Sequence, residues 1–182
     1  LKRDGFPPLS THDLDNENVD AIMNAFKQHG LLNKKEDVVK VIFYPIYLSG
    51  TDGLLDTSYY ESMQGAHLGV FPSYYEPWGY TPLEAAALGV SSITTDLAGF
   101  GRYLCNECNQ GAYPGVFVLP RFKKSHDEVV EGLTDTMAKF AHFSKKERTE
   151  NKIVAQQVAA TADWKSFITR YIDAHNLAID RV

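Results

Sequence analysis

The sequence predicts an α/β fold: a Rossmann-like parallel sheet with helices flanking it, one half of a doubly wound arrangement. Three observations carry this. Short apolar, often β-branched runs stand at 38–44, 67–71, 91–95 and 115–119, each the length of a strand. Helical patterns alternate with them, and repeated strand–helix alternation implies parallel strands joined by right-handed crossovers. Composition fits an ordinary globule, with 44% hydrophobic and 23% charged residues in a chain of 182, one domain by size. The formal net charge of −5 leaves no basic stripe for a nucleic acid. No apolar run approaches the ~18 residues that a membrane span needs.

In chain order, residues 1–14 are polar and Pro-rich and should be extended; His12 is a lone loop histidine to which no role is given. The opening Leu1-Lys2-Arg3-Asp4-Gly5 has neither an initiator Met nor an apolar signal region, so the chain is expected to be a fragment. Asp15 or Asn16 can cap a helix whose apolar face is Val19, Ile22, Met23 and Phe26, ended by Gly30. Residues 38–44, bounded by Asp37 and Pro45, read as a buried strand. A Gly-containing loop at 49–53 leads to a short helix around 56–65, and then to the strand at 67–71.

The stretch at 71–84 is the one on which the chemistry converges. Thr81 reads as a helix N-cap, Pro82 as the first helical residue and Glu84 as the partner that closes a capping box. A helix that starts just past the carboxyl end of a parallel strand offers unpaired N–H groups and a positive dipole end, which suits a phosphate. Gly79 lets the backbone approach a ligand where a Cβ would collide. Glu76 and Glu84 stand eight positions apart beside that candidate anion site. A bland reading fits the same residues, with Glu84 serving only as a cap.

Residues 91–95 and 115–119 complete the predicted sheet, whose ligands would lie beyond the carboxyl ends of the strands. Three helices follow. The first, 127–143, should bury Val129, Val130, Leu133, Met137 and Phe140; the second, 145–161, carries Ile153, Val154 and Val158. Asp163 caps the third, whose stripe of Trp164, Phe167, Ile168, Tyr171, Ile172 and His175 is the pattern of core packing. Gly99-Phe100-Gly101 follows a strand but lacks a third glycine and a helix start, which argues against a nicotinamide dehydrogenase. Cys105 and Cys108 have no second pair or His-x3-5-His to complete a zinc site, and the six histidines are scattered, so neither metal nor cofactor is expected. They read as reduced cysteines in a surface loop of a cytosolic protein.

Ser73-Tyr74-Tyr75-Glu76-Pro77-Trp78-Gly79-Tyr80-Thr81-Pro82, followed by Glu84, resembles the signature of the animal and fungal type glycogen synthases. These are retaining glycosyltransferases of the two-Rossmann-domain (GT-B) architecture, and Glu76 and Glu84 match their E-x7-E pattern. The likeness is sharp over 67–84, fair over 38–103 and thin beyond. It implies that 1–182 is part of the C-terminal nucleotide-sugar-binding domain, with C-terminal helices from about 126 onward and the amino-terminal acceptor domain missing.

By position, the resemblance makes Glu84 the carboxylate on the ribose hydroxyls and the backbone of Gly79, Tyr80 and Thr81 the diphosphate cradle. Glu76 becomes the carboxylate beside the donor glucose and Tyr59 the ring on which the uracil stacks, with Tyr60 one position away. The implied substrates are UDP-glucose and glycogen, with no metal, in a cytoplasmic protein that is a homo-oligomer at full length. One departure stands out. The family's arginine-rich helix, which binds glucose 6-phosphate, falls near Lys145-Lys146-Glu147-Arg148-Thr149-Glu150-Asn151-Lys152, where only Arg148 is arginine, so that activation should be weak or missing. Competing readings are a non-catalytic glycan- or nucleotide-binding module, a transferase of trehalose or sucrose type, and, last, a glycoside hydrolase using Glu76 and Glu84.

Overall fold

The structure, a computed structural model, describes residues 7–107 and 111–181. The backbone forms two compact units, Leu1–Thr57 and Ser58–Val182.

In the first unit, helix α1 (Ala21–Gln28) starts at Asp20, whose carboxylate accepts from the Ile22 and Met23 amides at 2.9 Å each. The cap is therefore five residues later than Asp15, and of the expected apolar face only Met23 is buried. Residues 38–44 do not form the buried strand. Val38 is 98% exposed, and the segment pairs only at Phe43, which bridges Ser10 in parallel. The physical reason lies in Asn33, buried and held at φ 57°. Its side-chain amide takes both ladder groups of Val41, donating to the carbonyl at 2.7 Å and accepting the N–H at 2.8 Å, and it also donates to the Pro7 carbonyl. A β-branched run becomes a strand only where a neighbouring backbone meets its polar groups, and here one side chain substitutes for that neighbour.

The second unit holds the sheet. Strands β1 (Leu68–Val70), β2 (Ser91–Thr95) and β3 (Val116–Leu119) lie in the order β1-β2-β3, all parallel, with Val70 opposite Ile93 and Thr94 opposite Val118. Helix α2 (Tyr59–Gln64) precedes the sheet, α3 (Tyr80–Ala87) joins β1 to β2, and α4 (Gly99–Glu107) joins β2 to β3. Then come α5 (His126–Ala141), α6 (Lys145–Thr161) and α7 (Trp164–Ile179). The period-2 pleat sends alternate residues of β3 to opposite faces. Val116 joins Ala86, Phe100, Leu104, Ala155 and Ala159 on one side, while Phe117 and Leu119 join Ile93, Val129, Phe140 and Phe143 on the other.

Central strand β2 is buried throughout although four of its five residues carry hydroxyls. Three of these are tied to neighbouring segments. Ser91 accepts from the buried Asn151 amide at 2.7 Å, Ser92 donates to the Pro82 carbonyl, and Thr95 donates to the Ser73 carbonyl at 2.9 Å. The strand thus anchors the loop after β1 as well as the sheet. Gly115, at φ 74°, lets α6 approach so closely that a Cβ would stand 2.4 Å from the Ala155 nitrogen.

Three further expectations change. On α5 Val129 and Phe140 are buried, but Val130 and Met137 are exposed. Helix α4 was not foreseen, and it places Cys105 on a helix rather than in a loop; Cys108 lies outside the described residues. On α7 no residue is buried. Trp164, Ile168, Tyr171 and Ile172 are exposed, and Phe167 alone of the stripe is drawn in, against Trp78 and Tyr103. Helical spacing reports a common face, not that something packs on it. Among the described residues no helix is long and apolar enough to cross a membrane.

Candidate active site at the start of helix α3

Helix α3 begins beyond the carboxyl end of β1, and its N-cap is Gly79, at φ 109° and ψ 72°, with no side-chain cap. Thr81 is thus inside the first turn and Pro82 is the third helical residue, not the first. The difference follows from Gly79, which turns the chain into the helix two residues earlier through a conformation closed to most side chains. Helices α1, α2, α5, α6 and α7 all start on an Asp or Ser side chain that accepts their first amides. At α3 the first amides, which have no partner inside a helix, receive none.

Glu84 closes no capping box. Its two oxygens accept the phenols of Tyr59, at 3.2 Å, and Tyr60, at 3.3 Å. The Tyr59 hydroxyl also bonds the Thr81 side chain. Both tyrosines are presented by the start of α2, where a reciprocal capping box fixes the backbone: the Ser58 amide donates to Glu61 at 2.8 Å and the Glu61 amide to Ser58 at 3.4 Å. Their rings meet edge-on at 5.1 Å. Partial burial pushes the Tyr59 phenol above its ordinary pKa, the Thr81 bond pulls the other way, and the Glu84 charge adds to the rise.

Glu76 lies beside Gly79. One of its oxygens accepts from the Ser73 hydroxyl at 3.1 Å and stands 3.4 Å from where a Gly79 Cβ would be. Its backbone pairs with Ala98 in an isolated parallel bridge. Glu76, Gly79, Thr81, Glu84 and Tyr59 therefore gather around one helix start; Tyr80 stands there too, 67% exposed.

The loop that carries Glu76 is itself the cap of the next helix. The Glu76 carbonyl accepts the Gly99 amide at 3.1 Å and the Trp78 carbonyl accepts the Phe100 amide at 2.6 Å. Gly99 and Gly101 permit this closeness: a Cβ at either would fall 2.1 Å from a carbonyl oxygen, of Pro77 and Thr95 respectively. The pair does open a helix, contrary to the sequence reading, but its glycines admit protein backbone. Spaced glycines after a strand were the available signal for this device. Asp96 and Arg121, which tie the strand ends together, have no such signal in the sequence.

A concavity of about 790 Å³ lies off the carboxylate cluster, between α3, α6 and α7. Trp78, Tyr80, Trp164, Phe167 and Tyr171 line it, and neither Glu76 nor Glu84 does. Cavity size alone would direct attention there. The polar groups that converge on the start of α3 give that place the greater chemical content.

The sequence model of the family described as glycogen synthase matches residues 1–182, the whole chain. The chain belongs to the glycogen synthase family. Glycogen [starch] synthase isoform 2 of Saccharomyces cerevisiae is 40% identical over 177 residues, which is 96% of this chain and 25% of that protein. The liver glycogen [starch] synthase of Homo sapiens is 36% identical over 180 residues, covering 99% of this chain and 26% of that protein. The chain spans about a quarter of the length of the glycogen synthases it matches. Among solved structures, WaaG, a glycosyltransferase involved in lipopolysaccharide biosynthesis, superposes with a TM-score of 0.48 at 19% identity, over 85% of this chain and 34% of that one.

Proposed function

We propose that this chain is the donor-binding part of a glycogen synthase that transfers glucose from UDP-glucose to the non-reducing end of an α-1,4-glucan with retention. The observation that carries the reading is the meeting of Tyr59, Thr81 and Glu84 at a helix start without a side-chain cap, with Glu76 beside Gly79. In this reading 1–182 is the C-terminal Rossmann-like half of a GT-B enzyme, and an amino-terminal half supplies the acceptor cleft and further cations. The full-length protein is a cytoplasmic homo-oligomer.

The geometry suits each role. Glu84 is a two-oxygen acceptor whose oxygens are taken by two separate hydroxyls, and the vicinal hydroxyls of a ribose are a matching donor pair. The amides of Gly79, Tyr80 and Thr81 and the positive end of α3 receive the diphosphate, whose negative charge grows as the glycosidic bond breaks. Tyr59 offers the uracil its ring. Glu76 stabilises positive charge developing on the sugar, as carboxylates do in glycoside hydrolysis, and acts by charge and position. No step requires a metal.

The test uses the full-length protein. Glu84→Gln is expected to weaken UDP binding by about tenfold or more, equivalent to about 1.4 kcal/mol. Glu76→Gln is expected to lower kcat by about 10²-fold while UDP binding holds. UDP affinity unchanged in Glu84→Gln would remove the donor-site assignment. UDP or glucan binding intact with no transfer activity in the unmodified protein would favour a non-catalytic binding module. The isolated chain should not elongate glycogen, and robust elongation by it would overturn the division of labour between the two halves.

A further inference from the structure

We propose that Arg121, seated by Asp96, is a positioning residue that holds the 72–76 loop so that Glu76 keeps its place beside Gly79. This rests on the role given to Glu76 above. Three chain segments leave the carboxyl edge of the sheet side by side: 71–76 after β1, Asp96 after β2, and Arg121 after β3. They are laced together. The Asp96 carboxylate accepts the Arg121 amide at 2.7 Å and the Phe122 amide at 3.1 Å, while the Asp96 amide donates to the Leu119 carbonyl at 3.2 Å. That fixes the backbone from which Arg121 springs. Its guanidinium reaches over the end of β2, donates to the Pro72 carbonyl at 3.1 Å and lies 3.5 Å from the centroid of the Tyr74 ring.

Between those two gripped residues sits Ser73. Its carbonyl is held by Thr95 at 2.9 Å, and its hydroxyl donates to Glu76 at 3.1 Å. The linkage runs from Asp96 through Arg121 to Pro72 and Tyr74, and from Ser73 to the Glu76 carboxylate. Tyr74 is 73% exposed, so its ring contributes little to a core. An exposed aromatic clamped by a planar cation makes sense as a way to hold a loop. A guanidinium is required for this, because it can stack on a ring and donate in its own plane together, which an ammonium cannot.

The test compares Arg121→Ala, Arg121→Lys, Glu76→Gln and the double variant Glu76→Gln/Arg121→Ala in the full-length protein, with UDP-glucose and glycogen as substrates. Arg121→Ala is expected to lower kcat about 10–100-fold, the usual cost of a slightly misplaced reacting group, with the Kd for UDP held within about twofold. Arg121→Lys should fail to restore kcat. Tyr74→Ala, which removes the stacked surface while leaving the charge, should lower kcat in the same direction even if an Arg121 variant folds poorly. The double variant should lose no more than Glu76→Gln alone, because two groups acting as one unit are not additive.

Equal losses from Arg121→Ala with and without Glu76 would overturn the proposal. So would a weakened UDP affinity at unchanged kcat, which would make Arg121 a ligand-binding cation. Amide hydrogen exchange across 73–76, expected to quicken in Arg121→Ala, is independent of activity; unchanged exchange would refute the clamp itself. Quickened exchange with full activity in Glu76→Gln would instead refute the role of Glu76, and the positioning role with it.

Discussion

Replacing Gly99 by Ala is the sharpest perturbation of how the site loop and the next helix share space. The new Cβ would lie 2.1 Å from the Pro77 oxygen and 3.0 Å from both the Pro77 carbonyl carbon and the Trp78 Cα, all backbone atoms. A carbon meets a carbonyl oxygen at about 3.3–3.6 Å, so the 76–78 loop must retreat by roughly 1.2 Å. That retreat strains two hydrogen bonds, from the Gly99 amide to Glu76 and from the Phe100 amide to Trp78. Overpacking of this kind costs about 1–3 kcal/mol, and each weakened bond adds about 0.5–1.5 kcal/mol. Helix propensity favours Ala over Gly by at most ~1 kcal/mol. The net expectation is a destabilisation of about 1–5 kcal/mol, read as a urea midpoint lower by about 0.5–2.5 M at an m-value of ~2 kcal/mol/M. Gly111→Ala is the control, since nothing lies within 4 Å of its Cβ position. An unchanged or raised midpoint for Gly99→Ala would refute the close-approach reasoning, because propensity alone predicts that sign.

Four other outcomes follow from the same structure. Asn151→Ala should destabilise by about 2–5 kcal/mol in urea unfolding, because it strands the buried Gly115 amide and Ser91 hydroxyl that Asn151 meets at 2.8 and 2.7 Å. Glu128 and Glu147 have pKa values of about 2, the first held down by the Lys124 ammonium and the Ser125 amide, the second by the Ser144 hydroxyl and amide and by the Tyr113 phenol. Their stabilisation is therefore present above the ordinary carboxylate value of about 4.3 and is lost as pH falls from there toward 2; Glu147→Gln should flatten that part of the midpoint-versus-pH curve. The phenols of Tyr59 and Tyr44, raised chiefly by burial, and of Tyr113, raised chiefly by its bond to Glu147, should give a late component in an alkaline absorbance titration, which Tyr59→Phe should reduce without removing. At the start of α6, Lys146 pairs with Glu150 and the Glu147 carboxylate is taken by Ser144 and Tyr113, so the full-length protein should gain little activity from glucose 6-phosphate.

Much of this was readable from residues alone, and the reason is locality. Three of the predicted strands, at β1, β2 and β3, form within one or two residues of the expected bounds, because short apolar runs between turn residues have few other places to go. Helices α5, α6 and α7 form where their spacing indicates, α7 on its expected Asp163 cap, as Ser or Asp before an acidic or apolar turn satisfies the first amides without help from elsewhere. Family membership was legible for a similar reason, since a ten-residue signature is a property of the string.

Tertiary structure decided what depends on partners distant in sequence. Residues 38–44 have the composition of a strand but meet a neighbouring backbone only at Phe43, so Asn33 takes the polar groups of Val41 and Val38 stays in solvent. Thr81 and Glu84 satisfy the rule for a capping box, yet their side chains turn to tyrosines more than twenty positions upstream, and Gly79 opens the helix instead. Gly99 and Gly101 were legible as spaced glycines, but only the fold shows that the atoms they admit are the chain's own carbonyls. Side chains obey local patterns where the nearest competitor is water. Where the fold delivers a better hydrogen-bond partner or leaves a face uncovered, that long-range term prevails, and a linear sequence does not contain it.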